Sequence, residues 1–208
     1  MAKAAIEFMA DGRTLVATGC NSGQARASLR DGRLVAAGFA VTQMACADPA
    51  VADQETFVMS VVGAEPTVVL DGNHLVLRTD TAEIRFLDRK AADPDRPLEG
   101  TPWRVDGVFD AQVASSIAAP KGELVLSGGR VRFNGPCSDV EGPAQVGGTT
   151  VTFGPLTSGA VRPCHQDQQR AQADVVRVLA GPVRATVKAG TLRLEHPSGR
   201  GVSLVAAS

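Results

Sequence analysis

The sequence predicts a mainly β (α+β) fold built from two tandem units, each with antiparallel strands and one helix. The first observation is the register of the four cysteines: Cys20 and Cys46 are 26 residues apart, and Cys137 and Cys164 are 27 apart. In both pairs the first cysteine follows a strand-like run and a glycine turn, and the second precedes a segment with helical spacing. The second observation is a series of short alternating runs separated by Gly, Asp and Asn turns, which is typical of antiparallel strands. The repeat of about 117 residues indicates a tandem duplication.

The elements of the first unit follow in chain order, with one helix between two groups of strands. Glycine turns in "RDGR" and "LDGNHL" join strands as hairpins. Asp48 suits the N-cap of a helix, Pro49 suits its first turn, and apolar residues recur at helical spacing over 50–62 until Gly63 ends it. The predicted strands are 6–9, 14–17, 26–30, 33–42, 67–71, 74–79 and 83–88.

The second unit repeats this order. Its helix is predicted over 166–180 and ends at Gly181-Pro182. The predicted strands are 101–108, 123–127, 130–134, 144–146, 149–153, 184–188, 191–196 and 202–206.

The domain boundaries follow from composition. We expect a first domain over 1–88, a linker over 89–97 and a second domain over 98–208, because "RKAADPDRP" is charged, contains two prolines and has no apolar periodicity. The two units differ at their start. Trp103 opens the second unit, but its counterpart in the first would fall before residue 1, so the first unit is expected to lack an opening strand and to have a free sheet edge.

Composition and charge exclude several classes. The formal net charge is −1 and the basic residues are spread along the chain, so the sequence gives no footprint for nucleic acid. No apolar run is long enough for a transmembrane segment. "VATGC" resembles the end of a lipoprotein signal, but the preceding residues include Glu7 and Asp11 and no apolar stretch. We therefore expect a mature or truncated form whose signal or lipid anchor is absent from this chain.

The cysteines are the only candidate site residues. The repeated spacing favours two disulfides, Cys20–Cys46 and Cys137–Cys164, and among the three possible pairings the duplication singles out this one. A metal site or redox pair and a set of reduced, buried thiols stay open as alternatives. Zinc usually takes closely spaced C-x₂₋₄-C pairs, which the sequence lacks.

The sequence predicts no catalytic, cofactor-binding or metal-binding residues. A nucleophile at Cys20 or Ser22 would need a positioned base, and no histidine of one unit recurs in the other. Asp48, Asp53 and Glu55 lie near a helix start, where the helix dipole is a sufficient explanation for acidic residues. Trp103 is interpreted as a core residue.

The motifs around the cysteines resemble the META domain, also called the HslJ-like domain. Unit 1, the first of the two repeats, carries "GCN" at 19–21 and "TQMAC" at 42–46; unit 2 carries the opening-strand pattern at Leu98, Gly100, Thr101 and Trp103, with "GPCSD" and "VRPC" at its cysteines. The resemblance implies that each unit is a curled antiparallel sheet, like an open barrel, with one packed helix. It also implies a bacterial envelope or secreted protein, in some cases linked to stress or antibiotic tolerance, with no enzymatic activity.

These observations lead to one functional expectation and one alternative. We expect a non-enzymatic structural or binding module of an extracytoplasmic compartment, without a cofactor, whose partner is an envelope protein. The alternative is a lipocalin-like carrier of a small apolar ligand, which requires an apolar cavity inside one sheet. The free edge of unit 1 is expected to be covered by the other unit or by a partner strand.

Overall fold

The computed structural model describes residues 3–110, 114–116 and 122–207. The chain divides into two compact units, Met1–Ala92 and Asp93–Ser208, which correspond to units 1 and 2. Each is described by itself. Among the described residues, none of the helices combines the length and the apolar character needed to cross a bilayer.

Unit 1 is a curled sheet of seven antiparallel strands, whose order in the sheet is the order in the chain. Its helix α1 spans Pro49–Gly63 and lies in sequence between the fourth and fifth strands. The strands are β1 Ala5–Phe8, β2 Arg13–Ala17, β3 Ser22–Arg30, β4 Arg33–Val41, β5 Thr67–Asp71, β6 His74–Arg78 and β7 Glu83–Leu87.

The predicted start of α1 agrees with the structure. Asp48 is the N-cap, and its Oδ1 accepts a hydrogen bond of 2.9 Å from the backbone N–H of Ala50. One face of the helix packs onto the sheet, and the buried core of unit 1 consists of six side chains from both elements. They are Val16, Leu34, Val58, Val61, Val62 and Leu77.

Unit 2 is a closed barrel of eight strands, where the family resemblance implied an open one. The closing strand is β8, Trp103–Phe109, which pairs antiparallel with both the last strand β17 and the strand β10. The other elements are β9 Ala114–Ser116, β10 Glu123–Ser127, β11 Arg130–Asn134, β12 Asp139–Gly147, β13 Thr150–Phe153, β14 Thr157–Ser158, α3 Gln166–Val178, β15 Gly181–Lys188, β16 Thr191–Glu195 and β17 Gly201–Ala206.

The interior of this barrel is filled by its own side chains. Trp103 is completely buried, as the sequence predicts, and its indole N–H donates to the carbonyl of Leu98 at 3.0 Å. Nineteen described residues form one buried cluster around it, including Phe133, Leu179 and Leu204. The larger core of unit 2 follows from closure, because a closed sheet shields the inward face of every strand.

Several predicted bounds differ from the structure. β3 begins at Ser22 and β12 at Asp139, earlier than expected, and α3 ends at Val178 because β15 already begins at Gly181. The strands β9 and β14 were not expected. The predicted linker contains a short helix, α2 Arg89–Ala92, whose Lys90 N–H is capped by the Asp88 carboxylate at 2.8 Å.

Candidate functional site

Both cysteine pairs expected from the duplication are disulfide-bonded. The Cα atoms are 5.8 Å apart in Cys20–Cys46 and 5.4 Å apart in Cys137–Cys164, within the usual range for disulfides. Each bond joins the turn before a long strand, β3 or β12, to the segment that leads into the helix of the same unit.

In unit 1 the cysteine turn is held by a polar network centred on Asn21. Asn21 is buried, with 6% of its surface exposed. Its Oδ1 accepts hydrogen bonds from Thr42 Oγ1 at 2.9 Å and from the Met44 N–H at 2.8 Å. Its Nδ2 donates a hydrogen bond to the carbonyl of Met44 at 3.1 Å. Glu55 of α1 completes the network. Its carboxylate accepts from the Asn21 N–H at 3.0 Å, from Asn21 Nδ2 at 3.1 Å and from Thr18 Oγ1 at 2.9 Å. The helix is thereby tied to the turn beside the disulfide.

The electrostatics of Glu55 follow from these contacts. Partial burial raises the pKa of Glu55, but the hydrogen bonds from Thr18 and Asn21 act in the opposite direction and together hold it below its ordinary value. The carboxylate is therefore ionised at neutral pH and serves as a hydrogen-bond acceptor. A group in this state does not fit the role of a general acid.

Unit 2 makes the same connection with a neutral side chain. Gln172 lies 117 residues after Glu55, and its Oε1 accepts from the Cys137 N–H at 2.9 Å and the Ser138 N–H at 3.2 Å. Its Nε2 donates to Ser138 Oγ at 2.7 Å. The contact common to both units is an oxygen that accepts from the backbone N–H of the turn, at Asn21 in unit 1 and at Ser138 in unit 2. The second contact differs, because a carboxylate oxygen of Glu55 accepts from Asn21 Nδ2 whereas the amide nitrogen of Gln172 donates to Ser138 Oγ.

The interpretation of Glu55 as a helix-dipole acid is therefore wrong. The first turn of α1 contains no acidic residue, and Glu55 contacts the cysteine turn instead. Asp48 acts as the N-cap. A signal was present in the sequence: aligning the two units by Cys20 and Cys137 places Glu55 and Gln172 at one position, where both side chains offer an acceptor oxygen.

One cluster of potential metal ligands occurs among the described residues. A sulfur of Cys20, a sulfur of Cys46 and a carboxylate oxygen of Glu55 lie within 4.8 Å of one another. The two sulfurs are bonded to each other, and zinc needs thiolates. The oxidised cluster therefore does not have the donor chemistry for a zinc site.

The three histidines lie on separate elements. His74 starts β6, His165 precedes α3, and His196 follows β16, where its Nδ1 lies 2.9 Å from Ser198 Oγ. Cys20, the candidate nucleophile, is in a disulfide.

The clearest difference between the units is at the edges of the sheet in unit 1. Among the described strands, β1 pairs with β2 alone and β7 pairs with β6 alone. We call the inward-facing side chains of these two edge strands, Ile6, Phe8, Ile84 and Phe86, the open side of unit 1. Phe8 is 49% exposed, whereas the other three are half-buried and pack against the core of unit 1.

The equivalent positions of unit 2 are covered. Val16 of unit 1 and Phe133 of unit 2 are equivalent residues, 117 positions apart. Ile6 lies opposite Val16 and Leu124 lies opposite Phe133 in the paired strands, so Ile6 corresponds to Leu124 and Phe8 to Leu126. By the same comparison, Ile84 and Phe86 correspond to Val202 and Leu204. All four unit 2 residues are at most 1% exposed. The open side is thus a row of core positions without the strand that covers them in the duplicate.

A surface depression of about 470 Å³ lies elsewhere in unit 1. Seven of its ten lining residues are polar, including Arg33, Thr67, Arg78 and Asp80, but about half of the lining surface is apolar. The Arg78 guanidinium is bonded to Glu83 at 2.5 Å. This depression does not offer the predominantly apolar lining that is typical of a site for an apolar ligand.

Comparisons with known proteins give one family and a few solved structures. A model of the META domain matches residues 1–91 and again residues 96–208. An NMR structure of a protein from Burkholderia xenovorans is similar at 17% identity and a TM-score of 0.45, covering 53% of this chain and 84% of that chain. A second NMR structure is similar at 26% identity and a TM-score of 0.36, covering 39% of this chain and 69% of the other. The search of curated proteins gives no match.

Proposed function

This chain belongs to the META domain family and carries two tandem copies of the domain, and from this premise we propose that it acts as a non-enzymatic binding module of an oxidising, extracytoplasmic compartment. The cell envelope and the extracellular space are such compartments. In this proposal unit 2 is a closed scaffold, and unit 1 binds a partner through its open side.

The observation that carries the proposal is the contrast between equivalent positions of the two units. Phe8 is 49% exposed, while Leu126 is 1% exposed. Large apolar side chains at core positions are costly to leave in water, at about 25 cal/mol for each Å². Such a row of residues on an otherwise folded unit is the kind of surface that marks a site of interaction.

The disulfides support the choice of compartment. Disulfides persist in oxidising environments and are rare where glutathione and thioredoxin keep thiols reduced. All four cysteines of the chain are paired. Mass measurement of the protein from its native source, alkylated without reductant, tests this part: four alkylated thiols would contradict an oxidising compartment.

The carrier alternative receives less support. The inward side chains of the unit 2 barrel form one buried cluster and so occupy the space that a ligand inside the barrel would need. The depression in unit 1 has a lining that is about half polar. The open side remains the surface to which a partner is assigned.

A positional cross-linking experiment tests the proposed binding surface. A photoreactive amino acid is placed at position 8 of the full chain, and a matched variant carries it at position 70. Leu70 is 77% exposed and lies on β5, two strands from the edge strand β7. Irradiation in cells of the source organism should give discrete adducts from position 8 that position 70 does not give. Identical adduct patterns from both positions, or no adducts from position 8, would refute the proposed surface.

A further inference from the structure

We propose that the surface depression of about 470 Å³ in unit 1 binds a small organic anion through the guanidinium groups of Arg33 and Arg78. The anionic group of this ligand is a carboxylate or a phosphate, both of which match the planar array of donors on arginine. The depression shares no residue with the open side, so the site is separate from the surface of the proposed function.

Strand pairing places the two arginines on either side of one threonine. Arg33 at the start of β4 lies opposite Thr67 at the start of β5, and Thr67 lies opposite Arg78 at the end of β6. Paired residues of antiparallel strands are about 5 Å apart, so the Cα atoms of the two arginines are about 10 Å apart. All three residues line the depression. A ligand above Thr67 would therefore have an arginine on each side.

The positive charge of Arg33 has no carboxylate partner in the part of the chain that the structure describes. Its Nη1 donates a hydrogen bond of 3.0 Å to the backbone carbonyl of Glu65, two residues before β5 begins. This bond holds the side chain at the depression and leaves the other guanidinium N–H groups for a ligand. Because a carbonyl carries no net charge, Arg33 remains able to attract an anion.

Arg78 is held in place by a carboxylate that it shares with a second arginine. Its Nε and Nη2 donate to Oε2 of Glu83 at 2.8 Å and 2.5 Å, while Oε1 of Glu83 accepts from Nε of Arg85 at 2.8 Å. One negative charge therefore serves two guanidinium groups, and the three side chains together are positive. The Nη1 group of Arg78 takes no part in these bonds and is available to a ligand.

The rest of the lining favours an organic ligand over a bare inorganic ion. Val61, Ala64 and Ala82 contribute to the half of the lining surface that is apolar, and they suit the carbon skeleton of such a ligand. Asp80 is the single carboxylate among the described lining residues. With Arg33 and the Arg78 group included, three positive and two negative side chains leave the region with one net positive charge.

Unit 2 has the same depression without the pair of arginines. A depression of about 450 Å³ is lined there by Thr150, Arg184 and Glu195, which lie 117 positions after the two arginines and the threonine of unit 1. They pair with one another in the same register. The order of charges is neutral, positive and negative, so the one arginine lies opposite a carboxylate. We therefore assign the anion to unit 1 alone.

The test uses the full chain labelled with ¹⁵N and two-dimensional NMR spectra at constant ionic strength. The anionic probes are succinate and glycerol 3-phosphate, and succinamide is the uncharged analogue of succinate. The protein variants are Arg33→Gln and Asp80→Asn. Arg184→Gln is the matched control, because it removes the same charge from the equivalent depression of unit 2.

At least one of the two anions should give saturable shifts of the amides of Thr67 and of residues 78–82, with a Kd of about 1–10 mM for so small a probe, and succinamide should not. The stronger of the two anions identifies the anionic group. Arg33→Gln should weaken binding by about tenfold or more, and Arg184→Gln should change it by less than about twofold. Asp80→Asn should strengthen binding by about two- to fivefold, because it removes a negative charge from the lining.

Four results would overturn the inference. The first two are the absence of saturable shifts with either anion up to about 50 mM, and equal shifts with succinamide. The third is an equal loss of binding in Arg33→Gln and Arg184→Gln, which would mean a general attraction to the charge of the protein. The fourth is weaker binding by Asp80→Asn. The first two use the unaltered protein, so the test stands even where Arg33→Gln loosens unit 1. The cross-links from position 8 decide separately on the proposed function.

Discussion

Removing one disulfide at a time should reveal how unequal the two units are. The perturbations are Cys20→Ala with Cys46→Ala in unit 1, and Cys137→Ala with Cys164→Ala in unit 2. The two bonds close loops of nearly the same length, with sequence separations of 26 and 27. In the chain-entropy treatment each therefore stabilises its unit by about 3.5 kcal/mol.

The two units would lose the same stabilisation, but their hydrophobic cores differ in size. Among the described residues, six buried side chains form the core of unit 1, and nineteen form that of unit 2. A domain of this size is stable by only about 5–15 kcal/mol, and an open sheet with a small core belongs at the lower end. For unit 1 a loss of about 3.5 kcal/mol corresponds to a fall of about 14–28 °C in Tm.

Amide hydrogen exchange followed by mass spectrometry measures the protection of both units in one sample. With the unit 1 pair replaced, amides of β3 and β4 should exchange at nearly unfolded rates at 37 °C while unit 2 keeps its protection. With the unit 2 pair replaced, both units should stay protected. A drop of less than about 5 °C in the Tm of unit 1, or loss of protection in unit 2 before unit 1, would refute the reasoning from core size.

Three further predictions concern single residues. Glu55→Ala removes the acceptor of three hydrogen bonds and should lower the free energy of unfolding of unit 1 by about 2–3 kcal/mol in urea titrations. Glu55→Gln should cost about 1–2 kcal/mol, because its amide nitrogen would meet a donor in unit 1, whereas the amide nitrogen of Gln172 in unit 2 donates to Ser138 Oγ. Because the pKa of Glu55 lies below its ordinary value of 4.5, its contribution is present above that pH and is lost as the pH falls through the lowered pKa; an unchanged acid dependence in Glu55→Gln would contradict this. Trp103→Ala should destabilise unit 2 by about 3–5 kcal/mol, measured by circular dichroism, and a cost below about 1 kcal/mol would show that β8 does not anchor the barrel. Gly201→Ala should lower the free energy of unfolding of unit 2 by about 1–3 kcal/mol, because a Cβ at this position would lie 2.0 Å from Cζ of Phe109. Gly147→Ala is the matched control and should be nearly neutral, because no atom lies within 4 Å of a Cβ at that position.

Local signals predicted the elements whose inward residues are large. The cap at Asp48 and the apolar spacing of α1 are strong local features, and the structure has that helix within one residue of the predicted range at each end. The early parts of β3 and β12 were missed for a common reason. Small residues occupy inward positions in both segments, Gly23 and Ala25 in β3 and Gly142 after Val140 in β12, and apolar periodicity detects only the larger side chains.

The small residue at Gly23 has a packing reason that the sequence does not show. A Cβ at this position would lie 3.1 Å from Cε of Met59 on α1 and 3.1 Å from Cδ1 of Phe39 on β4. The close approach of helix and strand therefore favours glycine. Only the packed structure reveals which atoms occupy that space.

The sequence by itself determined the duplication, the pairing of cysteines that duplication favours and the strand-rich character of both units. Those properties follow from the spacing of the cysteines and from the local periodicity of apolar residues. The tertiary structure decided that β8 joins β17 to β10 and closes unit 2, and that Glu55 and Gln172 reach the cysteine turns. The physical reason is that strand pairing uses backbone groups common to all residues, and these side-chain contacts span more than 30 positions of the chain, so neither leaves a local pattern.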